Sequence, residues 1–130
     1  MRATYLDSSA IVKLVVQEPE STALRRHLRR RTPWVSSALV RTEVVRALLL
    51  EGELAVTRGR TVLARLELIR VSDRVLTAAG ELLPADLRSL DAIHIATAQQ
   101  LGRDLAHLVT YDQRMTDAAG RAGLTTVAPA

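Results

Sequence analysis

Asp7, Glu43, Asp91 and Asp112 are the residues of this 130-residue sequence whose placement points to chemistry. Asp7 ends an apolar, β-prone stretch, Arg2–Leu6, in ATYLDSSAIVKL and turns at once into a helical pattern. Glu43 lies inside the apolar arc of its helix, between Leu39, Val40, Ala47 and Leu50. A glutamate there must be paired, protonated or bound to a cation, because an unpaired buried charge costs several kcal/mol or more. Asp91 falls in the first turn of LDAIHIATAQQL, two residues after Ser89. Asp112, in LVTYDQRM, follows a strand and opens a helix. Each acid also has a plainer reading. Glu43 can pair with Arg46 or Arg41, Asp91 can stabilise a helix dipole, and Asp112 or Asp7 can cap a helix, with Ser8 sharing the cap.

The elements around these acids decide between the readings. Short apolar strands are expected at Arg2–Leu6, Trp34–Ser36, Leu66–Val71, Ala106–Thr110 and Thr125–Val127. Helical periodicity fills the intervals: Ser9–Gln17, Glu20–Arg31, Ala38–Glu51, Leu54–Arg65, Arg74–Leu83, Leu90–Leu101 and Asp112–Arg121. Ser8 or Ser9, Ser36 or Ser37, Ser72 or Asp73, and Ser89 are the expected N-caps. Pro19, Pro33, Gly52, Pro84, Gly102 and Gly123 punctuate the chain. Strands alternating with helices from end to end predict an α/β fold: a parallel five-stranded sheet between two layers of helices, in a single domain over residues 1–130.

In an open α/β sheet, ligands bind outside the carboxyl ends of the strands. All four acids belong to that edge. Crowded there, they repel one another and raise each other's pKa values, and a multivalent cation makes the cluster favourable at neutral pH. Oxygen-only ligands favour Mg²⁺ or Mn²⁺ over zinc. Ser8 and Thr110 lie beside the cluster as supporting hydroxyls.

Composition removes the competitors. No cysteine is present, which excludes disulfides, zinc–thiolate sites and thiol nucleophiles. No apolar run approaches a membrane span, and Asp7 interrupts the place of a signal segment, so the cytoplasm is the expected location. His27, His94 and His107 sit in helices or before a strand; His94 reads as a core or neighbour-paired histidine rather than a catalytic base. Ser9 stands where a haloacid-dehalogenase-type phosphatase needs a second aspartate. Lys13 is the only lysine, whereas a phospho-receiver needs a late one. No phosphate loop or dinucleotide fingerprint occurs.

The remaining basic residues are 17 arginines, and the net charge is +4, a balance that attracts polyanions. Tyr5, Trp34 and Tyr111 are too few and scattered to stack bases, so a nucleic acid would be held through its phosphates. Arg25, Arg26, Arg29, Arg30 and Arg31 form the densest cluster, readable as an RNA face, a protein-partner face or a solvated surface. Arg41, Arg46, Arg88 and Arg114 lie closer in sequence to the acids.

Read together, LDSSAIVKL, SSALVRTEVVRAL, SLDAIHIATAQQLG and LVTYDQRM resemble the PIN-domain ribonucleases, in particular the VapC-type toxins of bacterial toxin–antitoxin pairs. The resemblance covers nearly the whole chain, and its specificity lies in the order and spacing of the four segments. It implies a metal-dependent endoribonuclease in which Asp7, Glu43, Asp91 and Asp112 hold Mg²⁺ or Mn²⁺ and hydrolyse RNA. It further implies a homodimer and a small antitoxin partner, with Asp117 as an outer acid of some relatives. An exposed apolar face on Ala10–Val16 and Leu54–Leu66 would suit such contacts. The alternatives are a catalytically silent RNA- or protein-binding module of the same fold and, from another class, an α/β phosphatase or phospho-receiver.

Overall fold

The first strand is also the middle one. In the computed structural model, which describes residues 2–130, β1 (Ala3–Leu6), β2 (Trp34–Ser37), β3 (Glu67–Ile69), β4 (Leu105–Val109) and β5 (Thr126–Val127) form one parallel sheet. Its order is β3-β2-β1-β4-β5. Tyr5 lies beside Val35 on one side and Leu108 on the other, and Leu6 beside Val109. The chain builds outward from β1 through β2 and β3, then crosses back to β4. The switch point of the topology is therefore the carboxyl end of the β1–β4 pair, where an open α/β sheet offers its crevice.

Helices α1 (Ser8–Lys13), α2 (Ser21–Leu28), α3 (Val40–Leu48) and α4 (Glu53–Leu63) cover one face; α5 (Asp73–Gly80), α6 (Ser89–Gln100) and α7 (Gln113–Arg121) cover the other. Alternation along the strands serves both layers. Leu6 and Val109 pack with Ile11, Leu24, Leu28, Val44 and Leu48. Tyr5, Val35 and Leu108 pack with Ile95, Met115 and Ala118. Because β1 is buried along its length, it reads as an unbroken apolar run, as expected of a strand covered twice.

Every strand and helix of the sequence reading is present, with displaced ends. The first helix stops at Lys13 rather than Gln17, because the Ser21 hydroxyl takes the Lys13 carbonyl at 2.7 Å and Lys13 turns to Glu20 at 2.7 Å. The third helix closes in a 3₁₀ turn, Leu49–Glu51, before Gly52 at φ +97°. Beyond that turn α4 packs against α3 so closely that a Cβ on Gly59 would stand 2.4 Å from Leu48 Cδ1. The expectation of an exposed apolar face on the first helix is corrected. Ala10 and Ile11 are fully buried, and Val12, Val15 and Val16 pack onto the same core. On the second expected face Leu54 is exposed, beside Leu49 and Leu50 at the Gly52 turn, whereas Leu63 and Leu66 are buried; Leu76, Leu83 and Leu90 are exposed elsewhere.

Candidate active site

Asp7 leaves β1 at the switch point and caps α1, accepting the Ala10 amide at 3.0 Å. Ser9 Oγ donates to the same oxygen, Oδ1, at 2.6 Å, and Thr110 Oγ1 donates to Oδ2 at 2.5 Å. Both hydroxyls do double work. Ser9 accepts the Tyr111 amide at 3.1 Å, and Thr110 accepts the Asp112 amide at 3.1 Å. The ends of β1 and β4 are thereby laced together around one carboxylate. The supporting hydroxyls are Thr110, as expected, and Ser9 in place of Ser8. Asp7 is only 3% exposed. Burial pushes its carboxyl well above the usual range, against the opposing pull of Ser9, Thr110, the Ala10 amide and His94.

Asp112 occupies the N-cap of α7, where its Oδ1 accepts the amides of Arg114 at 2.9 Å and Met115 at 3.4 Å. The capping role and the site role coincide in both Asp7 and Asp112. Asp91 stands half-buried in the first turn of α6, whose N-cap is Arg88 rather than the expected Ser89. Its carboxyl is pushed up by burial first, then by repulsion from Asp112 and Asp7, with His94 and Arg88 pulling the other way. The three aspartates, carried by three elements, thus share one electrostatic neighbourhood.

Glu43 joins them through a histidine. His94, one turn along α6 from Asp91 and 1% exposed, bonds Glu43 Oε1 through Nε2 at 2.6 Å and the Tyr5 hydroxyl through Nδ1 at 2.7 Å. The Tyr5 ring meets His94 edge to face, 5.8 Å between centroids. Burial holds the Tyr5 phenol protonated, far above its ordinary range. A carboxylate only accepts, so in the neutral ring Nε2 carries the hydrogen for Glu43 and Nδ1 accepts from Tyr5. The anticipated pairing of Glu43 with Arg46 or Arg41 does not occur. Tyr5 and Ser9 are the site residues that sequence reasoning passed over. Tyr5 looked like a core aromatic, and nothing in the run DSS distinguished the second serine from the first.

These donors suit a hard divalent cation. Every candidate ligand atom is a carboxylate oxygen, and Asp7, with three of about four lone-pair positions occupied, keeps one open. Among the described residues no three His, Cys, Asp or Glu side chains stand together closely enough to hold a metal ion by themselves. An ion held here would keep several waters, as Mg²⁺ ordinarily does.

Asp117 does not join the acids. It is exposed and accepts from Gln113 Nε2 at 2.9 Å. The arginines of α2 are also elsewhere. That helix leads into the amino end of β2, so Arg29, Arg30 and Arg31 lie toward the sheet edge opposite the acids. Arg25 and Arg29 instead line a separate groove of about 340 Å³ with Trp34 and Arg65.

The raised carboxyls carry a prediction. Asp7 and Asp91 bind protons more tightly folded than unfolded, so the stability they contribute is full below the ordinary aspartate pKa and is lost as pH rises through their folded values. His27 and His107, whose ring nitrogens meet at 2.9 Å, are lowered by burial, and their contribution grows as pH rises through the ordinary histidine range. Thermal melts in EDTA across pH 4–7 for wild type and Asp7→Asn separate the two. The wild-type advantage at low pH should shrink as pH rises; a constant difference would contradict the buried, raised carboxyl.

The PIN domain family model matches residues 4–121. This chain is a PIN-domain protein. Ribonuclease VapC46 of Mycobacterium tuberculosis is 64% identical over 129 residues, 99% of each chain. Ribonuclease VapC35 of the same organism is 42% identical over 129 residues, covering 96% of each. The PIN-domain protein therefore belongs with the VapC-type members, as its four acidic segments implied. Among solved structures, VapC20 of M. tuberculosis, a sarcin–ricin-loop-cleaving toxin, matches with a TM-score of 0.78 at 18% identity over 97% of this chain and 99% of its own. DNA-bound VapBC of Salmonella typhimurium matches at 0.67 and 19%, covering 98% of each chain. At those identities the likeness is one of PIN fold: the five-stranded parallel sheet with its flanking helices.

Proposed function

We propose that this protein is a divalent-metal-dependent endoribonuclease, the toxin of a toxin–antitoxin pair, with Asp7, Glu43, Asp91 and Asp112 as the catalytic acids. The observation that carries the reading is the buried Asp7 carboxyl at the switch point, which repels Asp91 together with Asp112 and lies within the electrostatic reach of His94, the hydrogen-bond partner of Glu43. Kinship with ribonucleases VapC46 and VapC35 supports RNA as the substrate.

Asp7, Glu43, Asp91 and Asp112 would hold Mg²⁺ or Mn²⁺, which supplies a water of lowered pKa and neutralises charge on the phosphoryl oxygens. Asp7 is the fixed point, since Ser9, Thr110 and the Ala10 amide leave its carboxylate one orientation. His94 aims Glu43. Asp7, Asp112 and Glu43 are each engaged by hydrogen bonds, which leaves Asp91 as the acid free to orient a water or take its proton. The site has no histidine placed as general base, because both ring nitrogens of His94 are engaged.

The same reading brings protein partners. An antitoxin is supported by structural neighbours that are toxin–antitoxin complexes, from Klebsiella pneumoniae and Salmonella typhimurium. The exposed Leu49, Leu50 and Leu54 offer an apolar contact to such a partner or to a second copy in a homodimer. No helix among the described residues is long and apolar enough to cross a membrane.

The test is cleavage of a mixed pool of structured RNAs by purified, antitoxin-free protein with Mg²⁺, Mn²⁺ or EDTA. Discrete fragments formed with metal and absent in EDTA are expected. Uncut RNA beside folded, metal-supplied protein would replace the nuclease with a binding module of the same fold.

A further inference from the structure

A cleft of about 320 Å³ opens beside the acids, between the Pro84–Arg88 segment and α7. Its walls carry three arginines, Arg88, Arg114 and Arg121, against two carboxylates, Asp86 and Asp117. Half-buried Leu87 and buried Ala118 form an apolar floor. Both walls begin at the acidic centre. Arg88 is the N-cap of the helix whose first turn holds Asp91, and close enough to lower that carboxyl. Arg114 is two residues beyond the N-cap Asp112, whose Oδ1 holds its amide. On α7, positions 114, 117, 118 and 121 fall on one face, so the cleft runs about 10 Å along the helix from the acids.

These arginines are not used to hold the protein together. The ion pairs among the described residues join Lys13 to Glu18 and Glu20, and Glu43 to His94; no arginine takes part. Asp117 is turned to Gln113 instead. Three exposed guanidiniums around an apolar floor, without carboxylate partners, make a site for an anion with an apolar body. Continuity with the acids narrows the choice. A chain with an anion seated in the cleft passes its next segment toward Asp91 and Asp112, where carboxylates alone would repel it. A polynucleotide that meets a cation at the acids and guanidiniums in the cleft satisfies both.

We propose that this cleft is a binding subsite for RNA, in which Arg88, Arg114 and Arg121 hold backbone phosphates flanking the bond to be cut. Guanidinium forks bind phosphate oxygens in pairs, which fixes the register of the strand without reading its sequence. Leu87 and Ala118 take the apolar face of a sugar or base. Asp86 and Asp117 set an upper limit on affinity and let the product leave. The proposal rests on the nuclease reading for its substrate, but its test does not need cleavage.

Binding of a fluorescent single-stranded RNA 20-mer is measured in EDTA, as affinity against salt concentration. The Arg88→Gln/Arg114→Gln/Arg121→Gln variant should bind at least tenfold more weakly than wild type, with the log–log salt slope smaller by about 2, since each phosphate contact on a single strand contributes about 0.7. Asp86→Asn/Asp117→Asn should bind more tightly, a gain that misfolding does not produce. Lysine at the three arginine positions should keep the salt slope and lose part of the affinity. The control is Arg26→Gln/Arg30→Gln/Arg103→Gln, all exposed and away from the cleft. An equal loss in that control, an unchanged affinity in the cleft variant, or no RNA binding by wild type overturns the subsite. Wild type that binds through the cleft but cuts nothing with Mn²⁺ leaves the subsite standing and removes the nuclease. Wild type that cuts RNA while the cleft variant binds it equally well does the reverse.

Discussion

Asp7→Asn is expected to lower metal-dependent RNA cleavage by at least about a hundredfold, and the protein is expected to stay folded. The geometry explains the combination. An asparagine oxygen can still accept from Ser9 and the Ala10 amide, and its NH₂ faces Thr110, whose hydroxyl can turn and accept. The cap of α1 and the lacing of β1 to β4 survive, while the negative charge proposed to hold a cation is gone. Replacing a carboxylate that burial disfavours also removes its repulsion of Asp91. The melting temperature in EDTA at pH 7 should therefore match or exceed that of wild type. Cleavage gels and a thermal melt on the same preparation settle it. A folded variant with undiminished cleavage would remove Asp7 from the site; a variant that unfolds would make it a structural residue.

His94→Phe should do the opposite, damaging stability and activity together. Phenylalanine fills a similar volume but offers nothing to the Tyr5 hydroxyl or to Glu43. A buried hydroxyl and a largely buried carboxylate both lose their partner, at a cost of about 3 kcal/mol. Glu43, no longer aimed, should cost a further 10–100-fold in metal affinity or activity when assayed well below the unfolding midpoint. Tyr5→Phe separates the halves of the chain. It removes one hydrogen bond, worth about 1 kcal/mol, and leaves the His94–Glu43 bond in place. Urea unfolding with cleavage at fixed temperature measures both effects. A His94→Phe protein as stable and active as wild type would mean that the Tyr5–His94–Glu43 chain carries nothing.

The sequence exposed what depends on neighbours along the chain and concealed what depends on neighbours across it. Asp7 and Asp112 were legible because a strand end and a helix start are local patterns, and both residues do cap helices. Glu43 was legible as an anomaly, a carboxylate in an apolar arc. Its partner was not, because His94 lies 51 residues away on another helix and the arginines beside Glu43 offered a nearer explanation. Of the expected serine caps only Ser72 holds its place: Asp7 itself caps the first helix in place of Ser8 or Ser9, the third begins at Leu39 with no side-chain cap, and Ser89 yielded to Arg88 because an extended backbone at Arg88, not a side chain, starts α6. The apolar stripe of the first helix was read correctly as a stripe and wrongly as exposed. Whether such a stripe faces a core or a partner is decided by the sheet beneath it, which periodicity does not contain.

The position of β1 has a consequence for how the protein comes into being. Its first strand waits for its central partner, and the Asp7–Thr110 bond joins residues 103 apart. At about 5–20 residues per second, a ribosome needs roughly 5–20 s to make the stretch between them. Until β4 has emerged, Asp7 has neither the Thr110 hydroxyl nor Asp112 beside it, and α1 docks on half a sheet. A truncated or stalled chain ending before that strand therefore carries at most three of the four acids, without the crevice that gathers them. The centre can close only once the last fifth of the chain, which holds β4 and Asp112, has been made.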